Sequence, residues 1–410
     1  MIPLLRPHQD RAQSAMTKYL KGQVIMPTGS GKTLTMIFDA IREFSNNTNK
    51  TIVVVAPRIL LAEQLSAEFL EHVTNAHVMH VHSGETHHFS TTNPNVVHNW
   101  HENTDGHKLI FTTYNSLIRI QQSDIQVDTI YFDEAHNSVK KSFFESTQYF
   151  SENAGRCYFF TATPKHSANI SKPGMNDGSV YGQVICSIPA PELVENGTIL
   201  PPKVSVNKID MVRDKDYGAE RDCMTLLDTI INEDHMEKVL VAAPNTKVLM
   251  RMLAETEFMT EVQSYGYDIL WITAKYGAFI NDKKVSSEVF FDTLTEWGKD
   301  SEKRFIILHY SILSEGINCP GLTSCIMMRN MDVIQMCQTI GRVIRVDQRD
   351  AARIHSGELI SGDLQNYSKA FGMIHVPVYT NTGISTARRL QEVVDTVFVK
   401  GDAAISVAKR

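Results

Sequence analysis

The sequence has little cysteine, and none of it is arranged in pairs. The six cysteines, at 157, 186, 223, 319, 325 and 337, form no C-x-x-C. That excludes a zinc site of the usual spacing and a disulfide framework, and leaves reduced, mostly buried thiols. No apolar run approaches the ~20 residues needed to cross a bilayer. The first residues, Met1-Ile2-Pro3-Leu4-Leu5-Arg6-Pro7, lack the apolar core of a secretory signal. The expected location is the cytosol of a cell or of an infected host, with no membrane partner. Positive charge is not in excess either: 40 Lys and Arg against 46 Asp and Glu leave a net charge of −6. Global attraction to nucleic acid is thereby excluded, but not a local basic groove, because phosphate binding depends on where charges sit. No short-period repeat is present.

What is present is an ordinary globular balance, 42% hydrophobic and 21% charged over 410 residues. That length exceeds what one core usually organises, so two domains are expected. Short apolar runs alternate with segments of helical period, the pattern of parallel sheets covered by helices. Expected strands are 23–26, 51–56, 77–81, 108–112, 129–132 and 157–161, then 238–243, 269–273, 304–309, 324–328 and 373–379. Between them lie helices at 32–44, 59–72, 245–257, 284–297 and 333–343. The fold class is α/β, with two doubly wound parallel-sheet domains at 1–203 and 204–382. Gly197-Thr198-Ile199-Leu200-Pro201-Pro202 reads as the linker. A helical tail follows at 383–410, with Leu390, Val393, Val394 and Val397 as a packing stripe. Residues 83–106 read as a polar surface insertion whose histidines are solvated or structural.

Three stretches carry chemistry. Pro27-Thr28-Gly29-Ser30-Gly31-Lys32-Thr33 follows a strand and opens a helix. Thr28, Gly29, Ser30 and Gly31 form a loop whose N–H groups converge on phosphate. Lys32 reaches the β and γ phosphates of ATP, and the Thr33 hydroxyl binds Mg²⁺. Met26 stands where this pattern usually begins with glycine. Asp133 and Glu134 end a strand, placing carboxylates at the carboxyl edge of a sheet. Asp133 is expected to hold Mg²⁺ through water, and Glu134 to orient and deprotonate the attacking water. Gln338-Thr339-Ile340-Gly341-Arg342-Val343-Ile344-Arg345 supplies cations. Arg342 and Arg345, three apart, are expected on one helix face, suited to the spread charge of a phosphoryl transition state.

Taken together these residues resemble superfamily 2 helicases and translocases, and the resemblance runs across most of the chain. It implies two tandem RecA-like domains with the ATP site in the cleft between them. Arg6-Pro7-His8-Gln9 resembles the adenine-reading motif, with Arg6 and Gln9 at the base. Pro57 and Arg58 stand in motif Ia, Thr112 and Thr113 in motif Ib, and Asp133-Glu134-Ala135-His136 in motif II in its DEAH spelling. Thr161-Ala162-Thr163-Pro164 is similar to motif III, so His136, Thr161 and Thr163 are implied to couple ATP state to nucleic-acid engagement. Asn245 and Thr246 stand in motif IV, and Leu313-Ser314-Glu315-Gly316-Ile317-Asn318 resembles motif V. Gly316 and Asn318 are implied at the nucleotide, Asn318 where many relatives carry aspartate; Ser314 is implied at the nucleic acid. Gln338, Arg342 and Arg345 stand in motif VI, catalytic with Lys32, Asp133 and Glu134. The Leu-Ser-Glu-Gly and Gly-Arg-Val-Ile-Arg spellings are most similar to the restriction-motor and phage recombination-helicase branch.

The resemblance implies ATP and Mg²⁺ as cofactors and nucleic acid as partner, held through sugar-phosphate by Pro57, Arg58, Thr112, Thr113, Asn245, Thr246 and Ser314. A DNA helicase or translocase is the first reading. An RNA helicase of the same superfamily, an ATP-gated duplex clamp and a motor subunit of a restriction-like complex stay open. No nuclease carboxylate constellation is evident. Gln9 lies almost at the first residue, so no recognition domain is expected before it. The insertion, the tail or a protein partner is left to supply specificity.

Overall fold

The computed structural model describes residues 4–84, 86–169, 171–214, 216–310 and 320–408. The chain forms two compact units, Met1–Ile188 with Ala403–Arg410, and Pro189–Asp402. It therefore passes from one unit to the other twice, at 188/189 and at 402/403. The first passage precedes the expected boundary at 203/204, and the last residues return to the first unit rather than ending as a helical tail.

In the first unit, strands β1 (Lys21–Ile25), β2 (Thr51–Ala56), β3 (Ala76–Val81), β4 (His107–Thr113), β5 (Thr129–Phe132) and β6 (Arg156–Thr161) lie close to their expected positions. Two short strands follow, β7 (Lys165–Ser167) and β8 (Val184–Ser187). The sheet order is β3-β4-β2-β5-β6-β1-β8, and every pairing is parallel. Helices cover both faces, so central strands are apolar without alternation: all six residues of Thr51-Ile52-Val53-Val54-Val55-Ala56 are buried. Each such aliphatic or aromatic side chain contributes roughly 1.5–3 kcal/mol by leaving water. The helix Lys32–Asn46 supplies Met36, Ile37, Ala40 and Phe44 as its buried stripe.

The second unit continues with β9 (Pro202–Ile209), β10 (Lys238–Ala242), β11 (Asp268–Thr273), β12 (Gly277–Ile280), β13 (Lys283–Val285), β14 (Phe305–His309), β15 (Ser324–Met327) and β16 (Gly372–Tyr379). Their order is β13-β12-β11-β14-β10-β15-β16-β9. All pairs are parallel except the hairpin β11-β12-β13. That hairpin replaces the start of the helix expected from Lys284. Asn281 adopts φ 53° at the turn, a left-handed conformation asparagine tolerates. Its side chain accepts from Ile269 N and donates to Asp268 Oδ1, both at 2.8 Å. The helix begins only at Ser287, where the Ser286 hydroxyl caps Val289 N at 3.2 Å.

Within the polar insertion at 83–106, Asn93 caps a helix, Pro94–Asn103, whose Val97 is fully buried. The helix is tied down by His98 Nδ1 to Ser123 O and by His101 Nε2 to Thr51 Oγ1, both at 2.9 Å. The expected linker is also part of a core: Ile199 and Leu200 are fully buried. In the tail, the helix Ile384–Val394 buries Leu390, Val393 and Val394. The chain then returns as β17 (Ser406–Ala408), parallel to β7. Among the described residues no helix is long and apolar enough to cross a membrane, and no cluster of three His, Cys, Asp or Glu groups suits a metal.

Buried histidines make the fold acid-sensitive. His80 is pushed down to about 4 by burial, with His82 and then His88 adding to it. His375 is pushed down to about 4 by burial alone, and His309 to about 3 by burial, with Arg342 and Arg329 adding to it. In the unfolded chain each titrates near ~6.5. Below that pH the unfolded state takes up protons first, so stability is complete above ~6.5 and is lost as pH falls towards the folded values. We expect the melting temperature to drop on the order of 5 °C or more between pH 7 and pH 5. A flat melting profile over that interval contradicts the assignment.

Candidate functional site

In the first unit the loops after β1, β5 and β6 emerge from the same, carboxyl edge of the sheet, with β6 lying between β5 and β1. Residues 27–33, 133–136 and 161–164, far apart in sequence, are thereby neighbours.

The loop after β1 turns on two glycines, Gly29 at φ 86° and Gly31 at φ 84°. A Cβ at residue 31 would collide with the Gln9 amide as well as strain the backbone. Met26 needs no such freedom, because it follows β1 directly and is held against β6: it is fully buried and its N–H donates to Thr161 O at 3.0 Å. Pro7–Lys18 forms a helix that braces the loop. His8 Nε2 meets Ser30 O at 2.8 Å, and Gln9 Nε2 donates to Gly31 O at 3.3 Å. Gln9 Oε1 accepts from Arg6 N at 2.9 Å. Arg6 is the N-cap of this helix. The His8 contact escapes motif reading, although its place beside Gln9 on the first helical turn is the signal for it.

Lys32 opens the helix behind the loop, with Thr33 next to it. The Lys32 ammonium donates to Met26 O at 3.5 Å and lies 4.0 Å from Glu134 Oε1. Glu134 adopts φ 45°. A left-handed glutamate costs on the order of 1–3 kcal/mol and marks a turn set by its surroundings. Tyr114 OH fixes the strand end by donating to Asp133 O at 2.9 Å. Burial, and next the Glu134 carboxylate, push Asp133 up to about 7, with Lys32 opposing. Glu134 Oε2 is buried without a hydrogen-bond partner among the described residues.

His136 connects this acidic pair to the loop after β6. Burial lowers its pKa, Glu134 opposing, so the ring is neutral. Asn137 Nδ2 lies 3.3 Å from His136 Nε2 and also donates to Glu134 O at 3.1 Å. The Asn137 amide therefore donates to Nε2, and the proton sits on Nδ1. That Nδ1 lies 3.0 Å from Thr161 Oγ1, 3.4 Å from Thr163 Oγ1 and 3.5 Å from Glu134 Oε2. His136, Thr161 and Thr163 form one buried network with Glu134. Asn137 is a member that motif spelling does not reveal.

The implied nucleic-acid contacts divide. Pro57 and Arg58 are half-buried after β2. Thr112 and Thr113 are buried, and their hydroxyls serve the fold: Thr112 Oγ1 donates to Val81 O at 2.8 Å, and Thr113 Oγ1 accepts from Ser116 N at 3.3 Å. Asn115 is the exposed side chain there. Asn245 is exposed and caps the helix Thr246–Glu255 through Val248 N at 2.9 Å. Ser314, Gly316 and Asn318 lie outside the described residues.

In the second unit Gln338 and Arg342 are buried on the helix Val333–Val343. Arg345 does not share that helix face, because the helix ends at Val343. The chain turns to meet residues 199–200: Leu200 N donates to Ile344 O at 2.7 Å, and Ile199 forms an antiparallel bridge with Arg345.

Residues 3–166 match the family described as "Type III restriction enzyme, res subunit". No curated protein matches the chain. Among solved structures, the chain is similar to the ATP-dependent Type ISP restriction-modification enzyme LlaBIII bound to DNA, with TM-score 0.71 and 17% identity over 99% of this chain and 31% of that one. It is also similar to a nuclease-deletion mutant of the Type ISP enzyme LlaGI in complex with a DNA substrate mimic, with TM-score 0.65 and 19% identity over 98% and 30%. The chain thus spans about a third of the length of either. The family match covers residues 3–166 and supports a restriction-motor branch of superfamily 2 there, while over the whole chain the likeness to these structures shows the shared RecA-like α/β fold.

Proposed function

We propose, from a helicase-like restriction-motor domain followed by a second RecA-like unit bearing Arg342 and Arg345, that the protein is an ATP-dependent DNA translocase or helicase. It acts as the motor of a restriction-type complex whose other parts supply specificity. The observation that carries this reading is the convergence of Lys32, the glycine loop and the Asp133–Glu134 pair on one sheet edge, with Lys32 Nζ 4.0 Å from Glu134 Oε1.

The residues fit Mg²⁺. Hydroxyl and carboxylate oxygens are its preferred donors. Burial and Glu134 also raise Asp133 to about 7, so the pair lacks cationic charge that a divalent ion offsets. When bound, Mg²⁺ would supply positive charge against the phosphate oxygens. Thr33 and Asp133 would hold the ion. The N–H groups of residues 28–33 and the Lys32 ammonium bind the β and γ phosphates, and Gln9 with Arg6 engages the base. Glu134 orients water and takes its proton as the water oxygen bonds to the γ phosphorus and the bond to the β-phosphate oxygen breaks. Gln338, Arg342 and Arg345 stabilise the charge that spreads over the phosphoryl group. The network from Glu134 through His136 to Thr161 and Thr163 reports loss of the γ phosphate to strand-contacting loops. Pro57, Arg58, Thr246 and Ser314 hold sugar-phosphate without reading sequence, with the Asn245 cap presenting backbone N–H groups.

DNA is favoured over RNA because both fold relatives named above are DNA complexes. The test compares stimulation of ATP turnover by duplex DNA, single-stranded DNA, branched DNA and RNA at one stated salt concentration. We expect DNA to stimulate at least tenfold more than RNA; dominance of RNA overturns the substrate assignment. ATP turnover on duplex without displacement of a downstream bound strand identifies a clamp instead.

A further inference from the structure

Lys369 lies outside every motif. Its side chain is buried, 5% exposed, and its ammonium donates to three backbone carbonyls: Val343 O at 2.5 Å, Leu322 O at 2.7 Å and Arg345 O at 3.0 Å. An ammonium has three N–H donors and no acceptor, so these carbonyls use all of them. Val343 is the last residue of the helix that carries Gln338 and Arg342. The final carbonyls of a helix lack intrahelical partners and sit at the negative end of its dipole. Arg345 stands two residues further on. One cation therefore ties the helix end to the backbone of the terminal arginine and to the residue leading into β15.

Lys369 is itself held in place. The Asp350 carboxylate, fully buried, accepts from Lys369 N at 3.2 Å, Ser368 N at 3.0 Å and Ser368 Oγ at 2.9 Å. Asp350 belongs to the helix Gln348–His355, which follows Arg345 directly in the chain. Backbone from 345 to 350, carboxylate to 368–369, and ammonium back to Arg345 O close a small ring. Leu200 and Ile199 hold the same turn from the other side. Burying an ammonium is costly unless it is fully hydrogen-bonded; here it is fully bonded, and to the backbone that aims Arg345.

We propose that Lys369 is a positioning residue for Arg345, locking the turn after the motif VI helix so that the guanidinium is preorganised for the phosphoryl transition state. This rests on the role given above to Arg345. A displacement of about 1 Å in a preorganised group lowers rate by on the order of 100-fold. An apolar side chain at 369 would preserve the packing and lose the three ties.

The test measures single-turnover and steady-state ATP hydrolysis by the full chain at saturating nucleic acid, for wild type, Lys369→Met, Arg345→Ala and the double variant. Lys369→Met is expected to lower kcat roughly 10- to 100-fold, leave KM for ATP within about twofold, and cause no further loss in the Arg345→Ala background. Fold-losses that multiply in the double variant, a Lys369→Met effect confined to KM, or kcat within twofold of wild type each overturn the positioning role. Wild-type kcat in Arg345→Ala alone removes instead the premise about Arg345. Should Lys369→Met fail to fold, Asp350→Asn loosens the same ring at constant volume and is held to the same non-additivity.

Discussion

Glu134→Gln is expected to lower nucleic-acid-stimulated ATP turnover by roughly 10²- to 10⁴-fold, the usual contribution of a positioned general base, while ATP binding persists. The substitution keeps the shape of a residue held in a left-handed turn at φ 45° and removes only its basicity and charge. In the proposed site, ATP affinity rests on the glycine loop, Lys32 and Gln9, none of which needs the carboxylate. One contact limits the prediction to turnover: Lys32 Nζ lies 4.0 Å from Glu134 Oε1, so loss of the charge frees the lysine for phosphate rather than displacing it. Calorimetric titration of ATP alongside radiolabelled phosphate release separates the two quantities. Turnover within tenfold of wild type shows that another group takes the proton.

Arg345→Ala carries the largest expected loss, roughly 10³- to 10⁵-fold in turnover, the range seen when an arginine finger is removed, with a far smaller change in ATP affinity. The expectation depends on a permanent, delocalised charge offered to a phosphoryl group whose negative charge grows in the transition state. The backbone of Arg345 is bound by Lys369 Nζ at 3.0 Å and paired with Ile199, so the truncation should leave the turn in place. Nucleotide affinity and hydrolysis are compared on the same preparation. A loss wholly in affinity assigns Arg345 to ground-state binding.

The carbonyl geometry also explains why these two arginines are not equivalent. Arg342 is buried on the helix, 4% exposed, whereas Arg345 follows the helix end. Helical spacing alone suggests a shared face, but the helix stops where residues 199–200 take up the Ile344 carbonyl.

The central strands were legible because their signal is local. Ile52 to Val55 and Phe305 to Leu308 are unbroken apolar runs, and a strand buried on both faces reads that way wherever its neighbours lie. The glycine loop was legible for the same reason: glycine, lysine and threonine within one turn carry their own geometry. The Asp133–Glu134 pair was legible as the end of a strand.

What sequence could not settle was decided by groups left over once those elements had formed. Thr112 and Thr113 look like strand-end hydroxyls offered outward, but the carbonyl of Val81 and the N–H of Ser116 claim them. Residues 406–408 pair with 165–167 across most of the chain, and no periodicity in three residues can announce that. Lys369 is an ordinary lysine until the helix end, Leu322 and Arg345 bring three unmet carbonyls to one point. Propensity and motif spacing act over a few residues, so they determined the sheets, the glycine loop and the acidic pair. Buried donors and acceptors must find partners wherever the packed chain presents them, so only the tertiary structure decided how Arg345, His136 and the returning strand are held.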